Sequence, residues 1–212
     1  MYVPEAFAER DVGRVRALIA THSFGMLIVP RSDAAPEIAH LPFLLDAEPA
    51  PYGTLRAHVA RANPIARLLD DELPVVAVFT GPHAYVSPRW YVEPAKNVPT
   101  WSFTAVHVHG TARKIVGRDG VLAAVADLSA VNEASAPAPW SAAAADSSHI
   151  EKLLLGIVAF TIHVDRFEAK FKLSQNRPRQ DRLRVVEELR RRRGVDDEVL
   201  AAMIEENEAR GR

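Results

Sequence analysis

No cysteine occurs among the 212 residues, which removes disulfides, thiolate metal ligands and cysteine nucleophiles together. Neither sign of charge is in excess. Lys and Arg number 26 against 27 Asp and Glu, a formal net charge of -1, so the chain lacks the strongly basic balance of an ordinary nucleic-acid-binding domain. Long apolar runs are missing as well. The longest, Leu153 to Ile162 with Gly156 inside it, falls well short of the roughly 18 residues a membrane span needs. Glu5, Glu9, Arg10 and Asp11 charge the first turns, so no secretory signal is visible, and the expectation is a cytoplasmic protein without membrane contact. Glycine is scarce, ten residues in all, and neither G-x-G-x-x-G nor G-x-x-x-x-G-K-[ST] occurs. A bound phosphate would therefore rest on side chains and a helix N-terminus rather than on a glycine loop.

What is present is the composition of a soluble globular protein, 48% hydrophobic and 25% charged, with a length that suits one domain or one domain with a helical tail. Apolar periodicity predicts a helix over Asp11–Thr21, then strands over Phe24–Val29 and Ile38–Leu45 that form a hairpin. A third strand follows over Gly53–Val59, and a short helix runs to Leu69 with Asn63 as N-cap and Pro64 as first helical residue. Further strands are predicted over Pro74–Phe79, Ala84–Ser87, Thr100–Val116 and Ile157–Phe167. In the long one, Ala105, His107 and His109 share a face opposite Val106 and Val108, and Gly110 would allow a bulge or bend. Helices are expected over Asp119–Glu133 and Ile150–Leu155, separated by a compositionally biased loop from Ala134 to Asp146. Two tail helices are punctuated by Gly194 as a stop and Asp196 as a restart. So many short strands with few helices exclude a doubly wound βαβ array and fit a small antiparallel barrel, whose closure removes exposed edges.

Four places carry groups suited to an anionic, partly flat ligand. Arg56 and His58 share one face of a strand, and Arg61 precedes the helix that Asn63 opens, where unpaired N–H groups and the dipole attract anions; capping and solvation of that helix is the plainer reading. Ser87, Arg89 and Trp90, with Tyr91, combine a hydroxyl, a cation and rings, although one ring would ordinarily fill the core. Thr100, Trp101 and His107 follow on the long strand. The densest stretch runs from Glu168 to Arg177, with Lys170, Lys172, Gln175 and Asn176 around Phe171 and Leu173; its alternative is a solvated edge strand guarded by lysines. His107 and His109 could also be read as metal ligands with His83, but no carboxylate lies nearby in sequence to complete a zinc or iron set, so no metal is expected. Arg190–Arg193 is flanked by Glu187, Glu188, Asp196, Asp197 and Glu198 and reads as a solvated helix end rather than a phosphate track.

The motifs Met1-Tyr2-Val3-Pro4-Glu5-Ala6-Phe7, His58-Val59-Ala60-Arg61-Ala62-Asn63-Pro64, Gly81 to Tyr91, Val98-Pro99-Thr100-Trp101 and Lys170 to Arg177 resemble those of the PaiB-like FMN-binding proteins, a family usually labelled as negative transcriptional regulators. The chain departs from that pattern where Ser102-Phe103 stands in place of an expected Asn-Tyr. The resemblance, which spans Met1 to about Leu189, implies an α+β, mainly β protein. Its fold would be the FMN-binding split β-barrel shared with pyridoxamine phosphate oxidases and flavin reductases, with six or more antiparallel strands. It implies a barrel domain over 1–177, a helical tail over 178–212 packed on it, and a homodimer binding FMN at its interface. Arg61, Ser87, Arg89 and Lys172 would hold the phosphate, while Thr100, Trp101 and His107 would line the ring. Two functions follow from the resemblance, a flavin-sensing regulator acting on DNA or through a regulatory protein, and an FMN-dependent oxidoreductase using NAD(P)H. Haem binding ranks third. No catalytic residue stands out.

Overall fold

The computed structural model describes residues 1–69 and 72–211. Seven strands hydrogen-bond into one sheet: β1 Phe24–Val29, β2 Glu37–Pro42, β3 Leu44–Asp46, β4 Thr54–Ala60, β5 Leu73–Val86, β6 Thr100–Lys114 and β7 Ile157–Lys172. Their order is β2-β1-β5-β6-β7-β4-β3. The helices are α1 Val12–Thr21, α2 Ile65–Leu68, α3 Arg118–Glu133, α4 Ser147–Leu155, α5 Arg179–Arg192 and α6 Asp197–Ala209. The expected α+β, mainly β architecture is what the chain adopts.

The predicted hairpin forms, with β1 and β2 antiparallel from Phe24 opposite Pro42 to Val29 opposite Glu37. The strand expected over Ile38–Leu45 is, however, two strands. β2 ends at Pro42 and β3 begins at Leu44, and the two lie at opposite edges of the sheet. Consecutive Cα atoms sit only about 3.8 Å apart, so edges separated by one residue belong to a sheet of barrel type. That residue, Phe43, is buried against the edge of Phe79 at 5.4 Å between ring centroids and donates its N–H to the Ser23 carbonyl at 2.9 Å. Proline supplies the break, since Pro42 has no N–H to continue a ladder.

Two other expectations need correction. The strands expected over Pro74–Phe79 and Ala84–Ser87 are one, β5, which continues through Gly81 and Pro82 and ends at Val86. β7 does not stop at Phe167 but runs on to Lys172, so the first half of the basic stretch is strand. Along β6 the period of two holds, with Ser102, Thr104, Val106, Val108, Gly110 and Ala112 buried and the residues between them partly open. Gly110 makes no break there. A Cβ at that position would lie 2.2 Å from the His163 carbonyl oxygen, so glycine lets β7 approach closely. At the chain reversal before β4, Gly53 takes φ +84, a left-handed conformation that favours glycine.

By internal contacts the chain divides into two compact units. The first comprises Met1–Val15, Thr80–Val106 and Glu168–Arg212, the second Arg16–Phe79 and His107–Phe167. Leu27, Leu55, Ile65, Phe160 and Ile162 are fully buried in the second. In the first, Leu173, Val185, Leu189, Leu200 and Ile204 are buried, each such aliphatic side chain contributing about 1.5–3 kcal/mol. The α5–α6 junction also differs from expectation. Arg193, not Gly194, takes the left-handed conformation (φ 58) that ends α5, donating its N–H to the Leu189 carbonyl at 3.1 Å. Asp196 flanks α6 without capping it; the buried Asp197 carboxylate instead accepts the Gly194 N–H at 2.6 Å.

Candidate functional site

The candidate residues fall into two sets, one in each unit. In the second unit, Arg56 is engaged by two carboxylates, donating to Asp46 at 2.9 Å and to Asp127 at 2.6 Å, and hydrogen bonding to Asp46 holds its guanidinium firmly charged. Arg61 donates Nε to the Leu155 carbonyl at 2.5 Å and a terminal nitrogen to that of Ile157 at 3.0 Å. The N-cap of α2 is Pro64 rather than the expected Asn63, whose Oδ1 accepts the Ile65 N–H at 3.0 Å from one residue further back; α2 spans only four residues and offers a weak dipole. His58 is half-buried, and desolvation lowers its pKa below the ordinary 6.5, which keeps the ring neutral at physiological pH. His107 sits on the partly open face of β6. Arg56 and Arg61 are thus already engaged, and a phosphate there would compete with carboxylates and carbonyls.

In the first unit the arrangement is different. A pocket of about 50 Å³ is lined by the hydroxyl-bearing residues Thr100, Ser102 and Ser174 and by Lys172 and Arg177. Trp101 and Asn176 stand at it as well, with Tyr91. No carboxylate is among these described lining residues, so the donor set suits an anion. Lys172 donates to Thr100 Oγ1. Burial lowers its pKa below the ordinary 10.5, and the neighbouring charges of Lys170 and Arg177 lower it further. Neither Lys172 nor Arg177 has an ion-pair partner among the described residues; Arg177 donates to Asn97 Oδ1 at 2.7 Å and lies over the Tyr91 ring at 4.8 Å. Tyr91 is 1% exposed, and its buried hydroxyl makes no well-aligned hydrogen bond among the described residues; burial raises its pKa above the ordinary 10.0, and the adjacent Arg177 guanidinium opposes that rise. A hydroxyl so placed costs stability unless a ligand or water satisfies it.

Local backbone geometry aims these groups. After β7 the buried Ser174 adopts φ 64, a left-handed conformation uncommon for a residue with a Cβ and often found where a site demands it. Gln175 closes the turn on itself: its side-chain oxygen accepts the Leu173 N–H at 2.7 Å and its nitrogen donates to the Phe171 carbonyl at 2.5 Å. Thus of the basic stretch Lys172 and Asn176 reach the pocket, whereas Gln175 shapes the backbone. Lys170 lies 5.4 Å from the Phe103 ring centroid and donates to the Tyr2 carbonyl at 3.2 Å. Ser87 Oγ accepts both the backbone N–H and Nε of Arg89, at 3.3 and 3.4 Å, and Arg192 covers the Trp90 ring at 5.2 Å; none of these three lines the pocket. Trp101 is 52% exposed and meets His83 and Tyr85 at 6.2 Å between ring centroids, a solvent-facing aromatic wall beside the polar niche.

The sequence reading named Tyr91 beside Trp90 and included Ser174 and Arg177 in the basic stretch, but gave none of them, nor Ser102, a specific place at the site. The reversal that brings Arg177 back depends on the φ of Ser174, which residue type does not announce. Ser102 occupies the position where the chain departs from the expected motif, and it is one of the hydroxyl-bearing residues of the pocket.

The donor set fits an anion such as a phosphate better than an uncharged or cationic ligand. Comparison with known proteins agrees with that chemistry. Residues 1–166 match a family model described as "Putative FMN-binding domain". The "Protease synthase and sporulation protein PAI 2" of Bacillus subtilis is 30% identical over 206 residues, 97% of either chain. Among solved structures, the FAD and heme binding protein from Mycobacterium smegmatis superposes with TM-score 0.58 at 18% identity, over 76% of this chain and 70% of that one. The flavocytochrome Anf3 from Azotobacter vinelandii does so with TM-score 0.55 at 15% identity, over 80% and 72%. These two share the fold, a split barrel of the flavin-binding type. The matched model ends before Lys170, whereas the similarity to the sporulation protein extends over 97% of the chain. On these grounds the chain belongs to the FMN-binding domain family.

Proposed function

We propose that the pocket of the first unit holds the phosphate of FMN, with Lys172 and Arg177 as its cationic partners and the hydroxyls of Thr100, Ser102 and Ser174 as further donors. The observation that carries this reading is a pair of cations, Lys172 and Arg177, that have no carboxylate partner among the described residues and stand beside hydroxyl-bearing side chains and the buried Tyr91. Trp101 then offers an apolar face to the isoalloxazine ring. A pocket of about 50 Å³ takes a phosphate-sized group but not a whole flavin, which occupies cavities of several hundred Å³. We therefore propose that a second copy of the chain completes the site around the ring. When bound, FMN supplies hydride and electron-transfer chemistry; the chain's own part is to neutralise the phosphate, orient the ring and limit solvent.

The use made of the flavin is regulatory in our reading: the protein senses flavin occupancy and passes it to a protein partner. A net charge of -1 and the carboxylate pairing of Arg190, Arg191 and Arg192 favour a protein partner over DNA. The aromatic wall of Trp101, Tyr85 and His83 favours a second reading, an FMN-dependent oxidoreductase, because it leaves room for a planar substrate such as a nicotinamide. Gel filtration after incubation with FMN tests the binding proposal. Flavin absorbance should co-elute with a dimer from the native chain and be lost from Lys172→Met. Flavin retained equally by both would overturn it. NADH oxidation by the loaded protein would move the assignment to the oxidoreductase, a mobility shift with steep salt dependence would move it to direct DNA binding, and a haem Soret band on the isolated protein would move it to haem.

A further inference from the structure

The turn that aims the pocket is held from behind by the last helix. Arg182, on α5, donates one terminal nitrogen to the carbonyls of Arg177 at 2.7 Å and Gln175 at 3.3 Å. Its Nε and other terminal nitrogen form a fork onto Glu208 of α6, at 2.9 and 2.7 Å. Both side chains are shielded, 16% and 19% exposed, and each holds the other firmly in its charged form. A planar guanidinium gripped on two nitrogens has little freedom left, so the third points where the carboxylate dictates. The two carbonyls it meets belong to the segment carrying Asn176 and Arg177 into the pocket. α6 is also anchored at the start of the chain. Arg14 binds the buried Glu9 and donates to Asn207 at 3.0 Å, and Arg210 meets Asp11 at 3.2 Å.

We propose that Arg182 and Glu208 are positioning residues through which the C-terminal helix sets phosphate affinity, by holding the Ser174–Arg177 turn in its ligand-ready form. The proposal rests on the reading that this pocket takes the FMN phosphate. It assigns the last helix a part in ligand binding, although none of its residues lines the pocket.

The test is a fluorescence titration of the full chain with FMN and with riboflavin, which lacks the phosphate, alongside thermal unfolding without ligand. Arg182→Gln removes the fork, Glu208→Gln loosens it, and Arg182→Lys keeps the charge but loses the planar grip. The exchange Arg182→Glu with Glu208→Arg restores an ion pair between the helices but offers the two carbonyls no donor. Glu205→Gln, which sits on the same helix as Glu208 and breaks a pair with Arg190 of α5, is the control. We expect Arg182→Gln and the exchange to weaken FMN by about tenfold while riboflavin changes by less than about twofold. Glu208→Gln and Arg182→Lys should fall between, and the control should stay at the native value. If the exchange recovers native FMN affinity, or if Arg182→Gln and Glu208→Gln weaken FMN and riboflavin equally, the pair is only a helix fastener and the proposal falls. Lys172→Met separates the two levels. Loss of FMN preference there, with none in the Arg182 and Glu208 variants, overturns the positioning role and leaves the pocket reading standing. No loss in Lys172→Met overturns both.

Discussion

Two cation-rich regions of the first unit invite comparison, the α5–α6 helix pair and the pocket at the end of β7. In the helix pair the arginines face carboxylates: Arg190 meets Glu198 and Glu205, Arg191 meets Glu188, Arg192 meets Asp197 and Arg182 meets Glu208. In the pocket, Lys172 and Arg177 face hydroxyls, an amide and an aromatic ring. By charge count the helices would be the better anion site, since Arg190–Arg193 is the densest basic run in the chain. By pairing they are the worse one, because an incoming phosphate would have to displace an internal carboxylate before gaining anything. A lysine already desolvated and crowded by two cations gains directly when an anion arrives. Local pairing, not local density, separates a solvated or structural charge from a binding one.

The comparison predicts opposite responses to mutation. The largest stability loss belongs to the helix pair. Asp197→Ala leaves Arg192 and the Gly194 N–H without their buried acceptor and should lower unfolding free energy by about 3 kcal/mol, measured by urea denaturation. A loss under about 0.5 kcal/mol would remove the distinction between structural and binding charge. The same carboxyl gives an acid limit. Hydrogen bonding to Arg192 lowers its folded pKa below the ordinary 3.8, so its contribution is present above about that pH and lost as pH falls through the lower folded value. Next comes Lys172→Met. Its FMN affinity should drop by about ten- to a hundredfold, the worth of one charge-assisted contact, while ligand-free stability holds or rises because a desolvated ammonium is gone. Unfolding at alkaline pH reads the same residue with smaller amplitude. Because the folded pKa lies below 10.5, the folded chain binds fewer protons than the unfolded one between those values. This group's contribution to ligand-free stability therefore increases with pH across that window, an increase Lys172→Met should lack. The smallest effect is expected at Arg191, 73% exposed, where Arg191→Ala should leave the urea midpoint within experimental scatter of the native value and leave FMN titration untouched.

Elements governed by local pattern were legible in the sequence. The β1–β2 hairpin, the alternation along β6 and the α5–α6 pair follow from apolar spacing and turn residues. What was not legible depended on long-range pairing. Pro42 and Phe43 read as the middle of one strand because a periodic apolar run does not say that its two halves join opposite sheet edges. Pro82 read as a break because its missing N–H matters only where a neighbour would have used it. At the site, Lys172, Thr100, Trp101 and Asn176 were singled out in advance and line one pocket, but the inclusion of Arg56 and Arg61 reflected charge and motif alone. Their carboxylate and carbonyl partners, Asp127 and Leu155 among them, lie 71 and 94 positions away, beyond anything spacing can show.

Phe43 has a further consequence, for the order in which the second unit assembles. β1 with β2 and β3 with β4 are two local pairings, of the kind whose loop-closure cost is low and whose formation is fast. They share Phe43 as a hinge pin. Once both have zipped, the strands that must finally receive β5 and β7 are already tethered to one another, and the distant pairings β1–β5 and β4–β7 close onto a prepared frame. Lengthening that single-residue link by a few glycines should therefore slow refolding more than it lowers stability.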